Sequence, residues 1–237
     1  MVFDKTGRVK LREPIGILYL HIITMILIIT SGKPDIVNNL ANLYESFDQR
    51  QIPYEIVNKC DYTITRRKDI RGLILPGSSS IAIHYEKPQK EIELELYYLY
   101  HFPKLPVLGI CHGCQLLMVY HGGDLDHYDS SWIGSKHVEL DLSRDRLFHD
   151  EQEEQQLHFY FHDLPILTPK ARKAGVREIA WITQFRDGRR HACAFEFEKG
   201  RVYGCMFHPE ATKESRSILY NFYDNVCMSS SASASVS

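Results

Sequence analysis

Hydrophobic and polar positions divide the chain into two kinds of territory. In the first half, short apolar runs rich in β-branched residues alternate with segments of helical period. Ile26–Thr30 reads as a buried strand, followed by a turn at Ser31-Gly32 and a helix start at Pro34. Over Asp35–Arg50, Ile36, Leu40, Leu43 and Phe47 recur at helical spacing. Tyr54–Val57 and Leu73–Leu75 read as strands, the second ending in Pro76-Gly77 and three serines. Glu91–Tyr100 reads as a helix, Pro106–Ile110 as a strand, and Gln115–Tyr120 as a helix ended by Gly122-Gly123. The second half is more irregular and richer in strands: His137–Leu142, Glu178–Thr183, Ala192–Phe197 and Arg201–Phe207. The acidic run Asp150–Glu154 reads as a solvated loop or helix face. A last helix over Thr212–Val226 aligns Ile218, Leu219, Phe222 and Val226, and a Ser-rich tail follows.

Strands alternating with helices imply an α/β fold in three layers, a mainly parallel central sheet with helices on both faces. The expected organisation is an N-terminal extension over 1–24, one domain over 25–227, and a disordered tail over 228–237. The apolar run over 15–30 follows four basic residues, but at this length it falls short of the ~18–20 residues a membrane span needs. It reads as buried strand, and no membrane association is expected.

Composition narrows the function classes. Hydrophobic residues make up 44% and charged residues 24%, which suits a globular chain. The net charge of −2 leaves no electrostatic footprint for nucleic acid. Six cysteines in 237 residues are too few for a disulfide scaffold and read as free thiols of a reducing, cytoplasmic compartment. No metal-ligand spacing is present, so neither metal nor cofactor is expected.

Two segments carry chemistry. Residues 109–115 read GICHGCQ, a Gly-x-Cys-x-Gly between a buried strand and a helix. This is the form of a nucleophile elbow with cysteine as nucleophile. The sharp turn requires small residues two before and two after, here Gly109 and Gly113. The Cys111 thiol would then stand at a helix N-terminus, where the dipole favours thiolate. The N–H of His112 would face an oxyanion formed on the substrate. The second segment is Phe207-His208-Pro209-Glu210, after an apolar strand. Residues i and i+2 of an extended chain project to one side, so Glu210 can orient His208 while the other imidazole nitrogen faces Cys111. Cys111-His-Gly-Cys114 is also a C-x-x-C, but the flanking residues of a thioredoxin-type redox pair are missing.

Taken together, these segments resemble the class I (triad-type) glutamine amidotransferases, the family that also includes γ-glutamyl hydrolases and has a flavodoxin-like sheet. LPVLGICHGCQ resembles the nucleophile segment, RVYGCMFHPE the His-x-Glu segment, and RGLILPGSSS the oxyanion loop. The resemblance spans about Met25 to Val226. It implies Cys111 as nucleophile, His208 as base and acid, and Glu210 as orienter. It implies oxyanion N–H donors at His112 and Ser78, and substrate contacts from Gln115 and the Gly77 loop. The family usually has a second glycine where Ser78 stands, and Phe161-His162-Asp163 resembles its Ser-His-x-Asp stretch without the serine. The implied reaction is release of ammonia from the γ-carboxamide of glutamine through a cysteine thioester. No P-loop and no Gly-Gly-x-Asp-Ser is present, so a separate synthase would take up the ammonia in trans. The alternatives are a free-standing hydrolase of γ-glutamyl amides or peptides, and an inactive regulatory module.

Overall fold

The computed structural model describes residues 24–30, 38–78, 90–143, 146–183, 185 and 188–230. The N-terminal extension before Thr24, the Ser31-Gly32 turn, the helix start at Pro34 and the tail beyond Ser230 lie outside the described residues. Nine strands form a single sheet: β1 (Met25–Ile29), β2 (Tyr54–Val57), β3 (Ile70–Leu75), β4 (Val107–Ile110), β5 (Asp124–Leu140), β6 (Glu154–Ile166), β7 (Arg177–Ile182), β8 (His191–Glu198) and β9 (Val202–Cys205). The spatial order is β2-β1-β3-β4-β9-β8-β7-β5-β6. From β2 to β9 every pairing is parallel. From β9 to β6 every pairing is antiparallel.

The expected α/β sheet is therefore present, and it is mixed. Its parallel half has the doubly wound order of a flavodoxin-like fold. The strands of this half are near-continuous apolar runs because both faces are covered; all four residues of Ile26–Ile29 are 0% exposed. Alternation along β3 separates the two faces. Gly72 faces Phe222 and Cys227, whereas Leu75 faces Gly113 at the start of a helix.

The helices are α1 (Asn38–Arg50), α2 (Lys90–His101), α3 (His112–Tyr120), α4 (Pro169–Lys173) and α5 (Arg216–Asn221). On one side α5 is tied to α1: Arg216 bonds Glu45 and Gln49, and Tyr220 bonds the carbonyl of Ser46. On the other side, α2 and α3 share an apolar space lined by Leu99, Phe102 and Leu117. Gly122 ends α3 at φ 84°, where only glycine is unstrained. The Gly122 and Gly123 amides close back on Val119 and Met118, a Schellman-type stop.

Two segments differ from the sequence expectation. The last helix begins at Arg216, because Thr212–Ser215 form a turn in which the Ser215 hydroxyl bonds the Pro209 carbonyl at 2.8 Å. After Asn221 the helix widens into a π-helical turn, Phe222–Cys227, and continues through Ser230, so Met228–Ser230, expected to belong to the disordered tail, are helical. The strand expected over His137–Leu142 is the end of the much longer β5, which pairs with β6 as a ribbon.

Candidate active site

Strands β3, β4 and β9 are neighbours in the sheet, and the site lies where their carboxyl ends meet. That is where an open parallel sheet offers unpaired backbone and loop ends to a ligand. Cys111 follows β4 directly, with φ 51° and ψ −105°. A cysteine in this region carries about 1–3 kcal/mol of backbone strain. The turn is held from both sides: the Cys111 amide donates to the Cys205 carbonyl at 2.7 Å, and its carbonyl accepts from the Gln115 amide at 3.0 Å.

The glycine requirement read from the sequence has a direct structural cause. A Cβ on Gly109 would lie 2.6 Å from the backbone of Gly113, and a Cβ on Gly113 would lie 2.0 Å from the Leu75 carbonyl oxygen. The elbow closes only because neither residue has a side chain. Gly77, just after β3, shows the same constraint. A Cβ there would lie 2.9 Å from His208 Cε1 and 3.6 Å from the Cys111 Cβ. The Pro76-Gly77-Ser78 loop thus passes against both the thiol-bearing residue and the imidazole.

His208 and Glu210 are each 2% exposed. His208 Nδ1 stands 2.8 Å from Glu210 Oε1. The His208 amide donates to the His158 carbonyl at 2.8 Å, and Phe207 forms a bridge to Phe159. Strand β6 therefore fixes the backbone that carries the imidazole, although this element lies at the far end of the sheet order. Burial works against a charge on His208. The nearby charge of Glu210 and hydrogen bonds to Cys111 and Glu210 outweigh it, so the imidazole holds its proton well above the ordinary histidine range. The second oxygen of Glu210 is buried without a hydrogen-bond partner among the described residues.

The Cys111 thiol also lies 3.2 Å from the Tyr160 carbonyl. Cys114, by contrast, is an enclosed thiol pushed well up by burial, with a smaller contribution from Cys111. Such a thiol is a poor partner for redox exchange, and the described cysteines are free. Among the described residues no group of His, Cys, Asp and Glu could hold a metal ion.

The structure brings Cys111, His208, Glu210 and Gly77 together. His112 opens α3 immediately after Cys111, and Ser78 follows Gly77. Gln115 is buried, and its side-chain NH2 donates to the Asp163 carbonyl at 2.8 Å. The part played by β6, which supplies the carbonyls of His158, Tyr160 and Asp163, is not among the expectations from sequence. The signal was present: Leu157, Phe159 and Phe161 alternate with His158, Tyr160 and His162.

Comparison with known proteins decides the family. The model of the class-I glutamine amidotransferase family matches residues 35–226. The chain belongs to the class I glutamine amidotransferase family. A GMP synthase [glutamine-hydrolyzing] of Staphylococcus epidermidis is 30% identical over 164 residues, which is 68% of this chain and 29% of that protein. The chain thus spans less than a third of the length of the curated relatives it matches. Among solved structures, a glutamine amidotransferase from Thermotoga maritima superposes with a TM-score of 0.61 at 15% identity, covering 91% of this chain and 86% of that one. The glutaminase domain of a Trypanosoma brucei CTPS, solved with bound acivicin, gives 0.59 at 12% identity, covering 85% and 94%. These two show the fold. Among the described residues no helix is long and apolar enough to cross a membrane.

Proposed function

We propose that this protein hydrolyses glutamine and delivers the ammonia to a synthase acting in trans, in the cytoplasm. The observation that carries this reading is the convergence of a strained, elbow-borne Cys111 with the buried His208–Glu210 pair and the Gly77 loop. Folding alone requires neither a positive-φ cysteine nor a buried histidine–carboxylate pair. The matched relatives' name, GMP synthase [glutamine-hydrolyzing], favours an ammonia-supplying role over a free-standing γ-glutamyl hydrolase.

In this reading the Cys111 thiolate attacks the γ-carboxamide carbon. The tetrahedral oxyanion is met by the backbone N–H groups of His112 and Ser78, each such donor being worth roughly 3–4 kcal/mol in comparable sites. His208, charged in the resting site, gives its proton to the departing nitrogen, and ammonia leaves. The γ-glutamyl thioester on Cys111 is then attacked by water, whose proton returns to His208. Breaking the C–S bond releases glutamate and restores the thiolate–imidazolium pair. Glu210 holds the imidazole in one orientation and balances its charge throughout. Gln115 and the Gly77 loop hold the substrate. No cofactor or metal enters the scheme.

The test is ammonia release from glutamine by the purified chain, alone and with candidate synthases. Release that is abolished by Cys111→Ala supports the proposal. Release from γ-glutamyl peptides but not from glutamine would replace it with the free-standing hydrolase. No release under any of these conditions, from folded protein, would refute it.

A further inference from the structure

The β5–β6 ribbon carries a histidine–carboxylate hydrogen bond that the scheme above does not use. His127 and Asp163 are direct cross-strand partners, and His127 Nδ1 lies 2.6 Å from Asp163 Oδ1. The Asp163 side chain is 6% exposed and that of His127 is 62% exposed, so a surface histidine secures a buried carboxylate. Asp163 also accepts the Gln115 side-chain NH2 on its main-chain carbonyl. A carbonyl only accepts, so the amide's orientation is fixed: NH2 towards Asp163, Oε1 away from it.

The backbone ladder is weak at this point. Its register shifts between His127 and Trp132, and Pro165, opposite Leu125, has no N–H to give. The short end of the ribbon is thereby separated from the regular pairing over Trp132–Glu139, and the side-chain pair supplies what the ladder lacks there.

We propose that His127 and Asp163 are positioning residues for substrate binding. Their side-chain hydrogen bond pins β6 at Asp163, so that Gln115, one helical turn after Cys111, presents Oε1 as a hydrogen-bond acceptor to an N–H of the bound glutamine. The proposal rests on the glutaminase reading above for the identity of that ligand. Without the imidazole, the buried carboxylate loses its cross-strand hydrogen bond, and the carbonyl that orients Gln115 is no longer held in place.

The test compares His127→Ala, His127→Asn and the native protein in glutamine hydrolysis, with the synthase present if it is required. An asparagine amide can take the place of the Nδ1–H donor. His127→Ala should raise KM about tenfold, the scale of one lost charge-assisted hydrogen bond, with kcat within about twofold. His127→Asn should restore KM to within about threefold. An unchanged KM in His127→Ala, a fall in kcat alone, or no rescue by His127→Asn would overturn the proposal. A second readout needs no turnover. With glutamine side chains labelled with 15N, the Gln115 NH2 should be protected from solvent exchange in the native protein and in His127→Asn, and lose protection in His127→Ala. If the native protein hydrolyses no glutamine, the glutaminase reading fails; equal protection in all three proteins would separately overturn the positioning role.

Discussion

Replacing Gly113 by alanine tests how the site is assembled, because two of its parts meet at that residue. The added methyl carbon would lie 2.0 Å from the Leu75 carbonyl oxygen and 2.7 Å from the Leu75 Cβ. The first distance is well over an ångström short of the 3.4 Å at which ordinary contact begins. Neither neighbour is the free end of a flexible side chain: one is strand backbone and the other is attached to it. Relief requires α3 and β3 to separate. Overpacking a well-filled interior typically costs 1–3 kcal/mol, and a clash with backbone belongs at the top of that range, about 3 kcal/mol. For a chain of this size that corresponds to a fall in Tm of about 6–12 °C. The same displacement would carry Leu75, and with it the Pro76-Gly77-Ser78 loop, away from Cys111. Urea unfolding should therefore show a lower midpoint at unchanged slope, and ammonia release should fall in the protein that remains folded. A Gly113→Ala protein with a Tm within about 1 °C of native and full activity would refute the tight seating of α3 on β3.

Gly77→Ala places a methyl 2.9 Å from His208 Cε1 in a loop at the site rather than in the core; kcat should fall by about 10²–10³-fold, the scale of one lost oxyanion donor, with a Tm shift under about 4 °C by thermal unfolding. Folding raises the pKa of His208, so its interactions stabilise the protein fully below the unfolded value of about 6.5 and lose that contribution as pH rises through the elevated folded value. The stability difference between native protein and His208→Gln, measured by urea unfolding, should accordingly shrink as pH is raised above about 6.5; a difference that grows would contradict the assigned ion pair. Glu210→Gln removes the charge that holds the His208 proton, so alkylation of Cys111 by iodoacetamide near neutral pH should slow by about tenfold or more, and an unchanged rate would show that Glu210 does not govern the pair.

How far the sequence reveals the fold depends on the kind of pattern each segment carries. β1, β3, β4 and β9 are short apolar runs buried on both faces, and such runs are conspicuous. The elbow at Cys111 and the His208-Pro209-Glu210 segment are equally plain, because a sharp turn and an extended i, i+2 pair impose narrow residue requirements. The ribbon is different. Gly134 at φ 107°, the register shift before Trp132 and Pro165 all interrupt the pattern of β5 and β6. The histidines and tyrosines of β6 also hide its alternation. What fixes β6 in place is long-range: the Phe159–Phe207 bridge and the His158–His208 hydrogen bond join segments about 50 residues apart. The contact of Gln115 with Asp163 belongs to the same class, which is why the sequence points to Gln115 but not to what orients it. The late start of α5 follows from a local competitor, since the Thr212 and Ser215 hydroxyls form the turn that anchors Pro209 and so the loop of Glu210.

If Cys111 is a nucleophile beside a working glutamine pocket, a reactive glutamine analogue will find it. The most direct measurement is intact-mass analysis after incubation with a diazo-ketone analogue of glutamine, followed by peptide mapping, with the synthase added in a parallel sample. A single adduct is expected on the peptide containing Cys111, slowed by excess glutamine and absent in Cys111→Ala. Labelling of another residue, labelling that glutamine does not slow, or no adduct on folded protein in either sample would contradict it.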